Sequence, residues 1–216
     1  MAPPLIAILL AVAGLWVGMG LAWISRWLPQ KRFVLQSRRT LAFALASALI
    51  GVIVCMWAMV NGQSALAAVL GAVLGWQLLL IAVVDAENFW LPDILTVPLG
   101  LTGLLASVLL PYPLGMGWAF ALISGLAGFS ILWLVSLFYR KMRGHSGLGG
   151  GDPILFGMGA VWVGAFDLLA VTLIAAATAL LMALVLKLFG RKIGLKSRLP
   201  FGTYLAIGFA VCWLMI

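Results

Sequence analysis

Five carboxylates occur in this chain of 216 residues: Asp85, Glu87, Asp93, Asp152 and Asp167. Asp85 closes the apolar run Leu78-Leu79-Leu80-Ile81-Ala82-Val83-Val84, which puts it at the edge of an apolar segment. Asp93 follows Leu91-Pro92. Proline suits the first turn of a helix because it has no N–H to lose, and a negative charge is favourable there. Asp152 ends the run Gly147-Leu148-Gly149-Gly150-Gly151 and precedes Pro153. The glycines permit close backbone approach, with Asp152 expected as helix cap and Pro153 as first helical residue. Each feature alone has a plain reading. Asp93 caps a helix, Asp85 and Glu87 are solvated loop charges, and the glycines form a flexible loop. A phosphate-cradling turn is a weak match, since no Lys-Ser/Thr and no β-strand accompany the glycines. Asp167 reads as a turn residue or cap.

Taken together, Asp85 and Asp152 suggest more. If they converge, the two carboxylates cannot easily both ionise, and the pair shares a proton. One then acts as general base on a water while the other, protonated, polarises a carbonyl. That is aspartic peptidase chemistry, which requires neither metal nor cofactor. Other chemistry has little material. His145 is the single histidine, and Cys55 and Cys212 sit 157 residues apart in apolar runs, outside any metal-ligand spacing. Buried free thiols are expected.

The elements that must position the carboxylates are membrane helices. Hydrophobic residues make up 65% of the chain and charged residues 8%, against about 45–50% and about 25% in soluble domains. The net charge of +8 reflects basic loops between apolar spans rather than nucleic-acid binding. No basic residue precedes Arg26, so the first apolar run is expected to be a retained span rather than a signal peptide. Spans are expected at about 5–27, 41–60, 65–84, 94–110 and 116–139. The stretch 153–186 is too long for one span. Asp167 within it would be costly at the bilayer centre, so it divides into about 154–164 and 168–186. A last span covers about 200–216. The fold class is therefore all-α, a polytopic membrane bundle of about eight segments. It forms a single membrane domain over residues 1–216, with a motif core at 85–164.

With eight alternating segments, loops one, three, five and seven share a side. Loop one holds five Lys/Arg, loop five three and loop seven five, which accounts for all 13. Loop three carries Asp85, Glu87 and Asp93, and loop five ends at Asp152. The positive-inside rule makes this side cytoplasmic.

These residues resemble the type IV prepilin leader peptidase family, a class of GxGD intramembrane aspartyl proteases. Asp85, Leu91-Pro92-Asp93 and Leu95-Thr96-Val97-Pro98-Leu99 are similar to its first signature, and Gly149-Gly150-Gly151-Asp152 to the GxGD signature. Similar segments occur at 18–29, at Phe156-Gly157-Met158-Gly159 and at Leu199-Pro200-Phe201-Gly202-Thr203-Tyr204. The resemblance implies that Asp85 and Asp152 are the catalytic pair and that Asp93 supports the site. It also implies cleavage of the basic leader of prepilins or pseudopilins at the cytoplasmic face of the bacterial inner membrane. Full-length relatives carry a zinc-binding domain with two CxxC pairs between the first two spans and methylate the new N-terminus. Here that loop is about 14 residues and has no cysteine, so the resemblance is to a short form and carries over neither zinc nor methyl transfer. Ile154 stands where many relatives have lysine.

Glu87 and Asp93 are the candidates for an acidic entrance receiving a basic leader. Gly149, Gly150 and Gly151 are the candidates for admitting a substrate backbone. The basic loops are expected to hold anionic lipid headgroups. Two other classes compete: a small transporter or channel with Asp85 and Asp152 as proton or cation sites, and a non-catalytic assembly scaffold.

Overall fold

The computed structural model describes residues 3–30, 37–143, 149–190 and 200–216. His145, Gly147, Leu148 and six of the 13 basic residues (Lys31, Arg32, Arg191, Lys192, Lys196 and Arg198) lie outside them. The described residues form eight helices: α1 (Pro3–Gln30), α2 (Ser37–Val60), α3 (Ala65–Asn88), α4 (Asp93–Leu109), α5 (Trp118–Arg143), α6 (Asp152–Val163), α7 (Leu168–Leu188) and α8 (Phe201–Met215). Helices are the natural solution for such a chain, because lipid offers no partner for a backbone N–H or C=O. Five of them (α1, α2, α3, α5 and α7) are long and apolar enough to cross a membrane. The chain is a multi-pass membrane protein.

The division of the 153–186 stretch holds. α6 stops at Val163, Gly164 turns the chain with φ +85°, and α7 starts after Asp167 in the N-cap position. At 12 residues α6 is about 18 Å long, short of a bilayer core of about 30 Å. It is covered by α5, α4 and α8 instead, and nearly all its side chains are buried.

Several helices run further than their apolar stretches. Arg39 falls inside α2, Arg140 and Lys141 inside α5, and Lys187 inside α7. Long basic side chains can cover apolar surface while their charged ends reach the interface, so they do not stop a helix there. α3 likewise continues through Asp85 and Glu87 to Asn88. Those two carboxylates are therefore on the last turn of a helix, not in a loop as expected. Phe89 ends α3 in the left-handed conformation at φ 52°, its N–H donating to the Asp85 carbonyl at 2.8 Å.

Small residues bring the backbones close. A Cβ at Gly14 would lie 2.6 Å from the Ser47 carbonyl oxygen, and one at Gly18 would lie 2.5 Å from Ala44 Cα. This is the small-xxx-small spacing that lets membrane helices pack without a hydrophobic driving force. The core runs through α3, α6 and α8, where Leu74, Ile81, Val84, Leu155, Phe156, Leu205, Phe209 and Trp213 are buried. The Trp162 indole N–H, buried in α6, donates to the Leu99 carbonyl on α4 at 2.8 Å. α5 and α7 lie at the periphery with many exposed apolar residues, as expected of lipid-facing helices.

Candidate active site

Asp85 and Asp152 are both buried, at 5% and 4% exposure. A buried carboxylate must be hydrogen-bonded, and each of these is held by a backbone N–H. The Asp85 Oδ2 accepts from the Thr203 N–H at 2.8 Å. The Thr203 hydroxyl lies 2.9 Å from the Ala82 carbonyl oxygen and 3.3 Å from the same Asp85 Oδ2. Thr203 thus ties the first turns of α8 to the last turns of α3. The Asp152 Oδ2 accepts from the Gly149 N–H at 2.8 Å. Asp152 was expected as the cap of α6. Gly151 occupies that position instead, and Asp152 is the first helical residue. Its carboxylate folds back onto the glycine turn, since from the first helical position it cannot serve as the cap.

Leu91 lies between Gly151 and Gly202. A Cβ at Gly151 would sit 2.7 Å from Leu91 Cβ and 2.9 Å from its carbonyl oxygen. A Cβ at Gly202 would sit 2.5 Å from Leu91 Cδ1 and 3.0 Å from Asp85 Oδ2. The glycine before Asp152 and the glycine beside Asp85 therefore press on one leucine, itself buried. The two carboxylates are within electrostatic reach of each other. Gly149 packs against Asp152, whereas a Cβ at Gly150 would meet nothing within 4 Å. Gly150 is the exposed edge of the turn.

The other two candidate carboxylates do not join this pair. Glu87, on the same turn of α3, is taken by Arg39. The Arg39 Nη1 donates to Oε1 at 2.5 Å and the Nη2 to Oε2 at 2.9 Å. Asp93 is exposed in the first turn of α4. Thr203, Gly202, Leu91 and Arg39 were not singled out from sequence. The only signal for the first two was the Leu199-to-Tyr204 segment, which matched a family pattern without indicating a role. Cys55 and Cys212 are buried free thiols, as expected.

The site is built where helix ends meet. The end of α3, the starts of α4, α6 and α8, and, through Arg39, the start of α2 all lie together. These are the ends flanking loops one, three, five and seven, which the alternation placed on one side. An apolar cavity of about 430 Å³ opens between α1, α3 and α4, lined by residues including Trp23, Trp27, Trp76, Gln77 and Leu95. Neither aspartate lines it.

A profile of the Type IV leader peptidase family matches residues 72–186, which contain both aspartates and the glycine turn. The chain is 36% identical over 180 residues to the prepilin leader peptidase/N-methyltransferase of Aeromonas salmonicida, covering 78% of this chain and 56% of that protein. It is 33% identical over 144 residues to the protein of the same name from Pseudomonas aeruginosa, covering 65% and 48%. A third relative is the type 4 prepilin-like proteins leader peptide-processing enzyme of Escherichia coli, 33% identical over 138 residues and covering 63% of this chain. The chain spans about half the length of these curated relatives. No solved structure matches it. With more than half its residues inside the family profile and a relative at 36% identity over most of its length, the chain belongs to the type IV leader peptidase family.

Proposed function

We propose that this protein is a membrane-embedded aspartic endopeptidase that removes the short basic leader from type IV prepilins or pseudopilins. The observation that carries the reading is the pair of buried aspartates on separate helices, each carboxylate held by backbone N–H donors, with Leu91 packed against both the glycine before Asp152 and the glycine beside Asp85. The names of the relatives supply the substrate class.

In this reading one carboxylate, ionised, takes a proton from water as it attacks the scissile carbonyl. The other, protonated, donates a hydrogen bond to that carbonyl oxygen. The tetrahedral intermediate collapses as the nitrogen of the breaking C–N bond takes up a proton, leaving a new carboxylate and a free amine. Oδ2 of each aspartate is the tethered oxygen, and we assign Oδ1 to water and substrate. The exposed edge at Gly150 is where a substrate backbone has room to pass. Glu87 and Asp93 have different roles here. Glu87 supports the site through Arg39, and Asp93, the exposed carboxylate, faces the basic leader.

The distribution of Lys and Arg supports a cytoplasmic site in the bacterial inner membrane. Basic residues at the helix ends contact anionic headgroups. Methyl transfer is not assigned to this chain, which lacks the cysteine-rich insertion between α1 and α2.

The test is to incubate the purified protein with a leader-bearing prepilin and read product masses. The wild type releases the leader. Asp85→Asn and Asp152→Asn each lose activity by about 100-fold or more while remaining folded in the membrane. Full processing by both variants refutes the assignment. Ion flux in proteoliposomes without cleavage would favour the transporter instead.

A further inference from the structure

Arg39 makes more contacts than an interfacial cation needs. Its side chain is 16% exposed, against 44% for its partner Glu87. Besides both Glu87 oxygens it reaches the Ser25 hydroxyl, from Nη2 at 2.9 Å and from Nε at 3.3 Å. Ser25 is 1% exposed, and its hydroxyl donates a hydrogen bond to the Ala22 carbonyl at 2.9 Å. The guanidinium carbon lies 5.4 Å from the centre of the Phe43 ring. One side chain thus joins the last turns of α1, the first turn of α2 and the last turn of α3. Exposed ion pairs contribute little. This one is bidentate, and although Glu87 is exposed the guanidinium is largely covered and also bound to the buried Ser25, so its geometry is strongly imposed.

The turn so held is the one that carries Asp85. Glu87 follows Asp85 by two residues, and the helix ends two residues later at Phe89. A bulky residue at φ 52° is strained, and such strain persists only where the surroundings over-determine it. Without the Arg39 contact, the last turn of α3 could unwind to relieve Phe89, and Asp85 would move with it.

We propose that Arg39 is a positioning residue. Through Glu87 and Ser25 it holds the last turn of α3 so that Asp85 faces Asp152. The inference rests on the peptidase reading for its kinetic consequence, but not for its geometric one. It gives Glu87 a fixed partner within the protein and leaves Asp93 as the carboxylate free to meet a basic leader.

The experiment has two readouts on the full chain. In the first, prepilin cleavage is followed as initial rate against substrate concentration, normalised to folded protein. Arg39→Gln and Glu87→Gln are each expected to lower kcat about 10- to 100-fold, the cost of a misplacement on the order of 1 Å, with KM little changed. The double variant should be no worse than the poorer single one, because the two residues act as a unit. Arg39→Lys should recover only part of the loss, since a point charge cannot hold Glu87 and Ser25 together. Unchanged kcat, a change in KM alone, or fully multiplicative losses would overturn the proposal.

The second readout needs no activity. Asp85→Cys and Thr203→Cys are combined in a chain carrying Cys55→Ala and Cys212→Ala, and disulfide formation is timed under mild oxidant. Adding Arg39→Gln should slow it severalfold, and an equal rate overturns the proposal. If the wild type leaves prepilin intact, the peptidase reading falls while the cross-linking still decides whether Arg39 positions Asp85.

Discussion

Gly151→Ala offers a sharp test of the proposed geometry. Gly151 sits at φ −83° and ψ −17°, a conformation alanine adopts freely, so the substitution adds no backbone strain. Its cost is contact alone. The new Cβ would lie 2.7 Å from Leu91 Cβ and 2.9 Å from the Leu91 carbonyl oxygen. Carbon atoms rest about 3.5–4.0 Å apart, so the start of α6 and Leu91 must separate by about 1 Å. Neither neighbour is the free end of a side chain that could swing aside. Asp152 is the next residue and moves with the helix, while Asp85 stays on α3. A misplacement of about 1 Å costs on the order of 100-fold in rate, or about 2.7 kcal/mol of transition-state stabilisation. Overpacking should also lower stability by about 1–3 kcal/mol, so rates must be normalised to folded protein. The assay is kcat for leader release, read by product mass. Gly20→Ala is the control, since a Cβ there would meet nothing within 4 Å and lies away from the site on α1. Gly151→Ala activity within about threefold of wild type, less than about 0.7 kcal/mol, would refute the view that Leu91 sets the spacing of the two aspartates.

Other substitutions probe separate links. Thr203→Val keeps the N–H bond to Asp85 but removes the hydroxyl, so cleavage should fall about tenfold or less, the effect of about 1 kcal/mol, and Thr203→Ser should restore it. Gly202→Ala presses on the free end of Leu91 and on Asp85 Oδ2; because the leucine end can move, its kcat should fall less than that of Gly151→Ala. Trp162→Phe deletes the bond to the Leu99 carbonyl and should lower stability in detergent by about 1–3 kcal/mol, with leader release unaffected per folded molecule. Gly18→Leu would drive a side chain into the α2 backbone at Ala44, and the yield of folded protein should collapse.

The helices and their ends were largely legible in sequence, for a physical reason. Backbone polar groups in lipid must pair within their own segment, so each apolar run of sufficient length is a helix. The turn at residues 164–167 was readable because Asp167 is costly in hydrocarbon. The extensions of α2, α3 and α5 were not, because an amphipathic side chain such as Arg39 or Glu87 is compatible with a helix beyond its apolar stretch. Glu87 looked like an acidic recognition charge because nothing near it in sequence is basic, and its partner stands 48 residues earlier. Thr203 gave no sign of touching Asp85, 118 residues before it.

By itself the sequence determined that this is a helical membrane protein. Its charge pattern predicted which loops share a side, and its sparse carboxylates pointed to Asp85 and Asp152. These are properties of composition and order along the chain, settled by what lipid will accept. Only the tertiary structure decided what surrounds each aspartate: Thr203 for Asp85, the Gly149 turn for Asp152, Leu91 between Gly151 and Gly202, and Arg39 against the last turn of α3. Those contacts join residues remote in the chain, and they exist only when the helix ends meet. Close packing and hydrogen-bond geometry select them, and neither leaves a local pattern in the order of residues.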